Sequence, residues 1–242
     1  MRGRGGKGGG GKERDAGGVG RDVTPTPSAP PAWLDRFRAE APRLEAPPLL
    51  APPAGAGRPA AVLILFGEGP GGPDVLLTER AATLTKHAGQ PAFPGGRIDP
   101  GDDGPVGAAL REAWEETGVL ADGVQVLCEL PELYLSRSEH RVTPVAAWWR
   151  EPSEIAPGHP GEVATVARVP IAELADPAHR LVVRHPSGLR LGPAFRAGGM
   201  LVWGFTAMLL TEVLDLGGWS RPWDTERIED LPPDVLDLAA RG

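Results

Sequence analysis

Cysteine is almost absent from this 242-residue chain, and the single one, Cys128, excludes an intrachain disulfide. It lies in the apolar run from Val124 to Leu130 and is expected to fill a core position. No apolar stretch reaches the length of a membrane-spanning helix, so none is expected. Positive charge is in deficit: 25 Lys and Arg stand against 32 Asp and Glu, a formal net charge of -7. That argues against broad attraction to nucleic acid or an anionic membrane, and neither is an expected partner. The basic N-terminus (Arg2, Arg4, Lys7, Lys12) has no apolar segment after it and does not read as a secretory signal. A reducing, cytoplasmic setting is therefore the expectation. No P-loop, dinucleotide fingerprint, zinc pattern, Ser-His-Asp spacing or internal repeat occurs. The lone tyrosine goes with a bias toward Ala, Gly, Pro and Arg that carries no functional weight.

Apolar residues make up 41% of the chain, enough for a real core. Residues 1–30 are rich in Gly, then Pro, Thr and Ser, and are expected to be a disordered tail. Residues 31–59 read as a short helix carrying Trp33, Leu34 and Phe37 on one side, then a proline-rich connector. The domain proper is expected over 60–242. Its first strand is the continuous apolar run Ala60–Phe66, covered on both faces. A loop over 67–73 leads to a hairpin partner, Asp74–Arg80. Further strands are expected at 124–130, 142–149 and 162–169, and Pro144 predicts an edge or an irregularity in the second of these. A helical turn follows at 170–175. Loops at 185–188 and 192–195 flank a short strand pair, and Val202–Leu214 is a mostly apolar helix. A short helix is expected at 234–240. This is an α+β pattern, an α/β/α sandwich built on a mixed sheet.

The stretch with chemical content runs from Phe93-Pro-Gly-Gly-Arg-Ile-Asp99 to Ala109-Leu-Arg-Glu-Ala-Trp-Glu-Glu-Thr-Gly118. On a helix begun near Pro105, Glu112, Glu115 and Glu116 share one side, within roughly 100°. Val106, Leu110, Ala113, Trp114 and Thr117 lie on the opposite side, which is expected to be the buried stripe, with the acidic edge outward. Gly118 marks the helix end. Such an edge is either a solvated face or a metal site. Three carboxylates on one turn repel by a few tenths of a kcal/mol per pair, and a divalent cation removes that cost. Mg2+ takes hard oxygen ligands and leaves room in its shell for water and phosphate, which suits phosphoanhydride hydrolysis. Arg111 can brace the carboxylates or meet phosphate. Gly95 and Gly96 permit close approach of backbone to a ligand or to the helix.

Gly96 followed by Arg111-Glu-Ala-Trp-Glu-Glu-Thr-Gly-Val119 is similar to the Nudix box. Asp102 stands where the box usually has glutamate, and one extra residue separates it from Arg111. The upstream segment Leu76–Gly96, with Arg80, Lys86, His87 and Gln90, resembles the additional signature of the coenzyme A pyrophosphatases of this superfamily. The likeness continues through Arg141–Val145, Glu162-Val163, Val169-Pro170 and Trp203–Ala207. It implies a Nudix fold and Mg2+- or Mn2+-dependent cleavage of coenzyme A, or a derivative, into 4'-phosphopantetheine and adenosine 3',5'-bisphosphate. It also implies metal on Glu112, Glu115 and Glu116, and catalytic roles for Arg111, Glu115 and Glu162, the last as metal ligand or general base. Substrate contacts are expected from Arg80, Lys86, His87, Gly95, Gly96 and Arg97. Another nucleoside diphosphate derivative, such as ADP-ribose or NADH, is the alternative substrate, and a non-catalytic nucleotide-binding module the alternative class. The sequence leaves a homodimer open.

Overall fold

The computed structural model describes Met1 and residues 29–236, apart from 49, 54, 83–88, 160 and 234. The expected N-terminal tail and the helix at 234–240 thus fall almost wholly outside the described residues, and Lys86 and His87 fall outside them altogether. In chain order the elements are α1 (Asp35–Glu40), β1 (Arg58–Gly69), β2 (Gly72–Arg80), β3 (Pro91–Ala92), β4 (Gly95–Arg97), α2 (Gly104–Thr117), β5 (Val124–Glu129), β6 (Leu133–Leu135) and β7 (His140–Trp149). There follow β8 (Val163–Pro170), α3 (Ile171–Ala175), β9 (Arg180–Arg184), β10 (Arg190–Ala197), β11 (Met200–Val202), α4 (Gly204–Gly217) and β12 (Ile228–Asp230).

β1 is the spine, parallel to β7 along one side and antiparallel to β2 on the other. Its unbroken apolar run has a simple cause: alternate residues serve opposite layers. Ala61, Leu63 and Leu65 pack with Ala108, Ala109 and Ala113 of α2. Ile64 and Phe66 point the other way, into a core shared with Leu34 and Phe37 of the N-terminal segment and Leu209, Leu210, Val213 and Leu214 of α4. A mixed sheet with α2 on one face and α1 and α4 on the other is the expected α/β/α sandwich. The N-terminal segment is built into this core: Phe37 meets Phe66 at 4.9 Å between centroids, and Trp33 packs against both Trp148 and Trp219. A second, four-stranded sheet runs β11-β10-β9-β12 around Leu181, Val183, Ala194 and Leu231.

The hairpin of β1 and β2 pairs only near its turn, from Phe66↔Val75 to Gly69↔Gly72, and then opens. Into the opening come β4, paired with Ala60–Val62 of β1, and β3, paired with Thr78 and Glu79 of β2. Two buried threonines reinforce this insertion. The Thr206 hydroxyl of α4 donates to the Pro91 carbonyl at 2.9 Å, and that of Thr78 to the Ala92 carbonyl at 3.3 Å.

Three expectations need correction, and a fourth is decided between its two alternatives. The hairpin loop is only Pro70-Gly71, because both strands extend into the region read as loop. The β7 strand is central, so of the edge or irregularity predicted from Pro144 it is the irregularity that is found. The missing N–H is tolerated because β5 ends at the partner of Val145 and β6 begins at the partner of Val142, which leaves Pro144 at the break between them. Residues 192–195 lie inside β10, with a register irregularity at Arg190/Gly192 in place of a loop. Cys128 is only half-buried beside the core, on a strand that carries its own irregularity between Val126 and Cys128.

Phe66 is completely buried and touches Trp33, Phe37 and Trp219. Phe66→Ala should cost about 3–5 kcal/mol of unfolding free energy in urea titrations. A loss below about 1 kcal/mol would show that the N-terminal segment contributes nothing to this core.

Candidate active site

The α2 helix begins after the loop 99–103 and ends at Gly118, whose φ of 77° supplies the left-handed residue that stops it. The expected stripe holds at Ala113 and Thr117, which are buried, and at Val106 and Leu110, which pack partly buried against the same core, but not at Trp114. The buried residues are Ala108, Ala109, Ala113, Glu116 and Thr117, while Trp114 is 57% exposed. The small alanines pack against β1 and bring the helix close to the sheet. Glu116, only 8% exposed, thereby faces the opening between β1 and β2 and not the solvent.

Glycines make this approach sterically permissible. A Cβ on Gly96 would fall 2.4 Å from a Glu112 carboxylate oxygen, and one on Gly95 would fall 2.3 Å from the Ala61 carbonyl. The role read for them, close approach of backbone to the helix, is thus visible for Gly96 against Glu112. The Gly95 amide donates to Glu116 Oε2 at 3.1 Å. Beyond the helix, the amides of Ala156 and Gly158 donate to the carbonyls of Thr117 and Glu116, satisfying groups left open at a helix C-terminus. A Cβ on Gly158 would sit 1.8 Å from the Glu115 carbonyl oxygen. Gly158 went unread in the sequence, because a glycine in a loop of Pro and Gly gives no sign of what it will face.

Arg111 is committed to bracing. Its Nε and one Nη fork onto both oxygens of Asp102 at 2.9 and 3.0 Å, and the same Nη also donates to the Arg97 carbonyl. The other Nη reaches Glu112 at 3.0 Å and Glu115 at 3.1 Å. Asp102, the departure from the expected box, is therefore the fork partner of Arg111. Arg111, joined by the Asp99 amide, holds its carboxyl below the ordinary carboxylate range. The Arg97 side chain is exposed, and strand alternation sets it on the side of β4 opposite Gly96; only its carbonyl joins the site.

Arg80 ends β2 at a register irregularity against β8, between Glu79 and Arg80, the sort of bulge that re-aims a side chain. It stands 3.7 Å from Glu116 Oε1, with its buried Nε unpartnered among the described residues. Its backbone also pairs with Gly89 and Gln90: the Arg80 amide donates to the Gln90 carbonyl and the Gly89 amide to the Arg80 carbonyl. Glu162 sits at the start of β8, its carbonyl accepting from the Ala81 amide, and its side chain is exposed.

Burial is the largest cause raising both Glu112 and Glu116, and Glu116 is pushed up to about 7. The Gly95 amide and Arg80 oppose that rise, while the charges of Glu112 and Glu162 add to it. The charges of Glu112 and Glu162 thus both reach Glu116, and that of Glu115 reaches Glu112. Among the described residues no three carboxylates already close around an ion position. The reason is visible: Arg111 holds Glu112 and Glu115, while Gly95 and Arg80 hold Glu116. Oxygen donors that are hard, crowded and buried against their own charge are nonetheless the kind that a divalent cation relieves.

The NUDIX domain model matches residues 57–190 of the chain, a span that includes β1, the Gly95–Gly96 turn, all of α2 and Glu162. The chain belongs to the Nudix family. It is 42% identical to the uncharacterized Nudix hydrolase NudL of Cronobacter sakazakii over 64% of its own length and 81% of the relative's. It is 39% identical to the uncharacterized NudL of Citrobacter koseri over 58% and 73%. Among solved structures it is similar to the NUDIX domain of Shewanella oneidensis NrtR complexed with ADP ribose. That match has 19% identity and a TM-score of 0.44, covering 73% of this chain and 96% of that one. As a Nudix hydrolase, the protein acts on a nucleoside diphosphate derivative, in a family that commonly uses divalent metal ions. No described helix is long and apolar enough to cross a membrane.

The Glu116 carboxyl keeps its proton more readily in the folded chain than in the unfolded one, where the ordinary value is 4.5. Its contribution to stability is full below about pH 4.5 and is lost as pH rises through about 7. In EDTA, the wild-type protein should lose on the order of 3 kcal/mol of that contribution between pH 5 and 8. Glu116→Gln should show a correspondingly flatter profile in urea titrations. Parallel profiles for the two proteins would contradict this assignment.

Proposed function

We propose that this Nudix hydrolase cleaves the diphosphate linkage of coenzyme A or a close derivative, with the carboxylates of α2 as the metal site. The observation that carries the hydrolytic centre is Glu116, buried beside the Gly95 amide within the electrostatic reach of Glu112 and Glu162. Glu112 and Glu116 would hold the ion, with Glu115 at the rim and Glu162 able to complete the set. Mg2+ or Mn2+ bound there would supply Lewis-acid polarisation of a phosphate oxygen and a more acidic water. Arg111, fixed by Asp102, keeps Glu112 and Glu115 in place. Glu162 is the general-base candidate, since it is exposed to solvent at the margin of the group. Arg80 offers its guanidinium to the diphosphate, a task for which two planar rows of N–H donors are suited.

Coenzyme A as the substrate rests on the segment Leu76–Gly96. That segment would have to recognise a 3'-phosphate as well as the diphosphate, and Arg80, Lys86 and His87 are the cationic or hydrogen-bonding groups it offers. ADP-ribose, with NADH beside it, is the second reading. The described part of the site (Arg80, Gly95, Gly96 and the carboxylates) addresses a diphosphate and contains no group that demands the 3'-phosphate. A small molecule is the only partner that this chemistry calls for.

The two readings separate in one assay. Purified protein is incubated with Mg2+ or Mn2+ and, in parallel, coenzyme A, ADP-ribose and NADH, and the products are resolved by chromatography. The expected outcome is preferred release of adenosine 3',5'-bisphosphate from coenzyme A. Equal or better turnover of ADP-ribose would transfer the assignment to the second reading. Glu116→Gln should lower turnover of the preferred substrate by about 100-fold or more, by analogy with losses at metal sites.

A further inference from the structure

Both oxygens of Glu116 are occupied. Oε2 accepts from the Gly95 amide at 3.1 Å, a bond fixed by backbone, while Oε1 faces Arg80 at 3.7 Å. The second contact is of a different kind. It is longer than a hydrogen bond, it comes from a side chain at the end of a strand, and the Nε of that side chain is buried without a partner among the described residues. The other arginine of the site, Arg111, is by contrast held by Asp102, Glu112, Glu115 and the Arg97 carbonyl. One cation in the site is therefore locked and the other is loosely engaged.

We propose that Arg80 exchanges partners during the reaction cycle, neutralising Glu116 in the metal-free protein and turning to the substrate diphosphate once a divalent ion occupies the carboxylates. This rests on the reading of Glu112 and Glu116 as metal ligands. Two cations cannot share Glu116 Oε1 without repulsion, so the ion and the guanidinium compete for it. A guanidinium displaced from a carboxylate, with an unsatisfied N–H already in place, is a ready donor for an incoming anion. The two binding events are then coupled and reciprocal: metal frees the arginine for diphosphate, and diphosphate holds the arginine away from the metal site. The bulge at Glu79/Arg80 and the backbone bonds of Arg80 to Gly89 and Gln90 place this side chain where it can serve both partners.

The coupling is read without turnover. Mn2+ binding is measured by the loss of the free-ion electron paramagnetic resonance signal, in wild type, Arg80→Met and Arg80→Gln, with no substrate present. Binding of methylenediphosphonate, a non-hydrolysable diphosphate, is then measured by calorimetry at saturating Mn2+. Both variants should bind Mn2+ several-fold more tightly than wild type and the diphosphonate several-fold more weakly. A purely structural role for Arg80 would weaken both. Near-UV circular dichroism identifies a variant that has not folded, and the other variant then carries the test. Unchanged or weaker Mn2+ binding in a folded variant overturns the exchange, and so does unchanged diphosphonate binding. Failure of the wild-type protein to bind Mn2+ at all would overturn the metal assignment and the exchange with it. Normal wild-type binding with unshifted variants would overturn the exchange alone.

Discussion

The approach of one helix to one turn governs the rest of this structure. The α2 helix can press against β1 because its contact face is made of alanines, and it can press against β4 because Gly95 and Gly96 present bare backbone. The result is a carboxylate, Glu116, drawn out of water and met by a backbone amide. Burial of a charge is costly unless it is paired, and here the pairing is incomplete. An amide and a distant guanidinium oppose the desolvation, while two further carboxylates add to it. The site keeps this unfavourable arrangement because the same packing that buries Glu116 also secures the sheet to its helix.

Arg111 and Arg80 divide the positive charge between two purposes. Arg111 is forked by Asp102 and shared between Glu112 and Glu115, so it spends its donors inside the protein. That fixes the geometry of the carboxylates but leaves little of the guanidinium for a ligand. Arg80 has the opposite character, with one long contact and an unused donor. The two cations thus differ in how firmly they are held: Arg111 keeps the acidic residues in register, while Arg80 makes one long contact to Glu116.

The wider fold supports this centre through the opened hairpin. β1 and β2 part where β3 and β4 enter, and side-chain hydrogen bonds from Thr78 and Thr206 fasten the two-residue β3. The Thr206 contact ties the far helix, α4, to the segment that leads into Gly95. The two layers on either side of the sheet thus meet the site from opposite directions. The loop bearing Gly158 closes it from a third, because the open carbonyls at the end of α2 accept the loop's amides.

Much of this was legible in the residues. The strand length and apolarity of 60–66, the helix ended by Gly118, the three grouped glutamates and the glycine pair all follow from local chemistry, and local chemistry is what a sequence displays. The resemblance to the Nudix box likewise pointed to Gly96, Arg111 and the glutamates, which the fold brings together. What stayed hidden was everything decided by contact between distant segments. A helical projection made Trp114 a buried residue and Glu116 an outward one, because it weighs apolarity and cannot see which side of the helix the sheet and the β4 turn will cover. Pro144 pointed to an edge or an irregularity without showing which, because no sequence shows that two neighbouring strands break opposite it. Asp102 looked like a misfit until Arg111 folded onto it. The chain by itself determined which groups could do chemistry; only the tertiary structure decided which were buried, which were locked and which stayed free, because burial and pairing are properties of the space between segments.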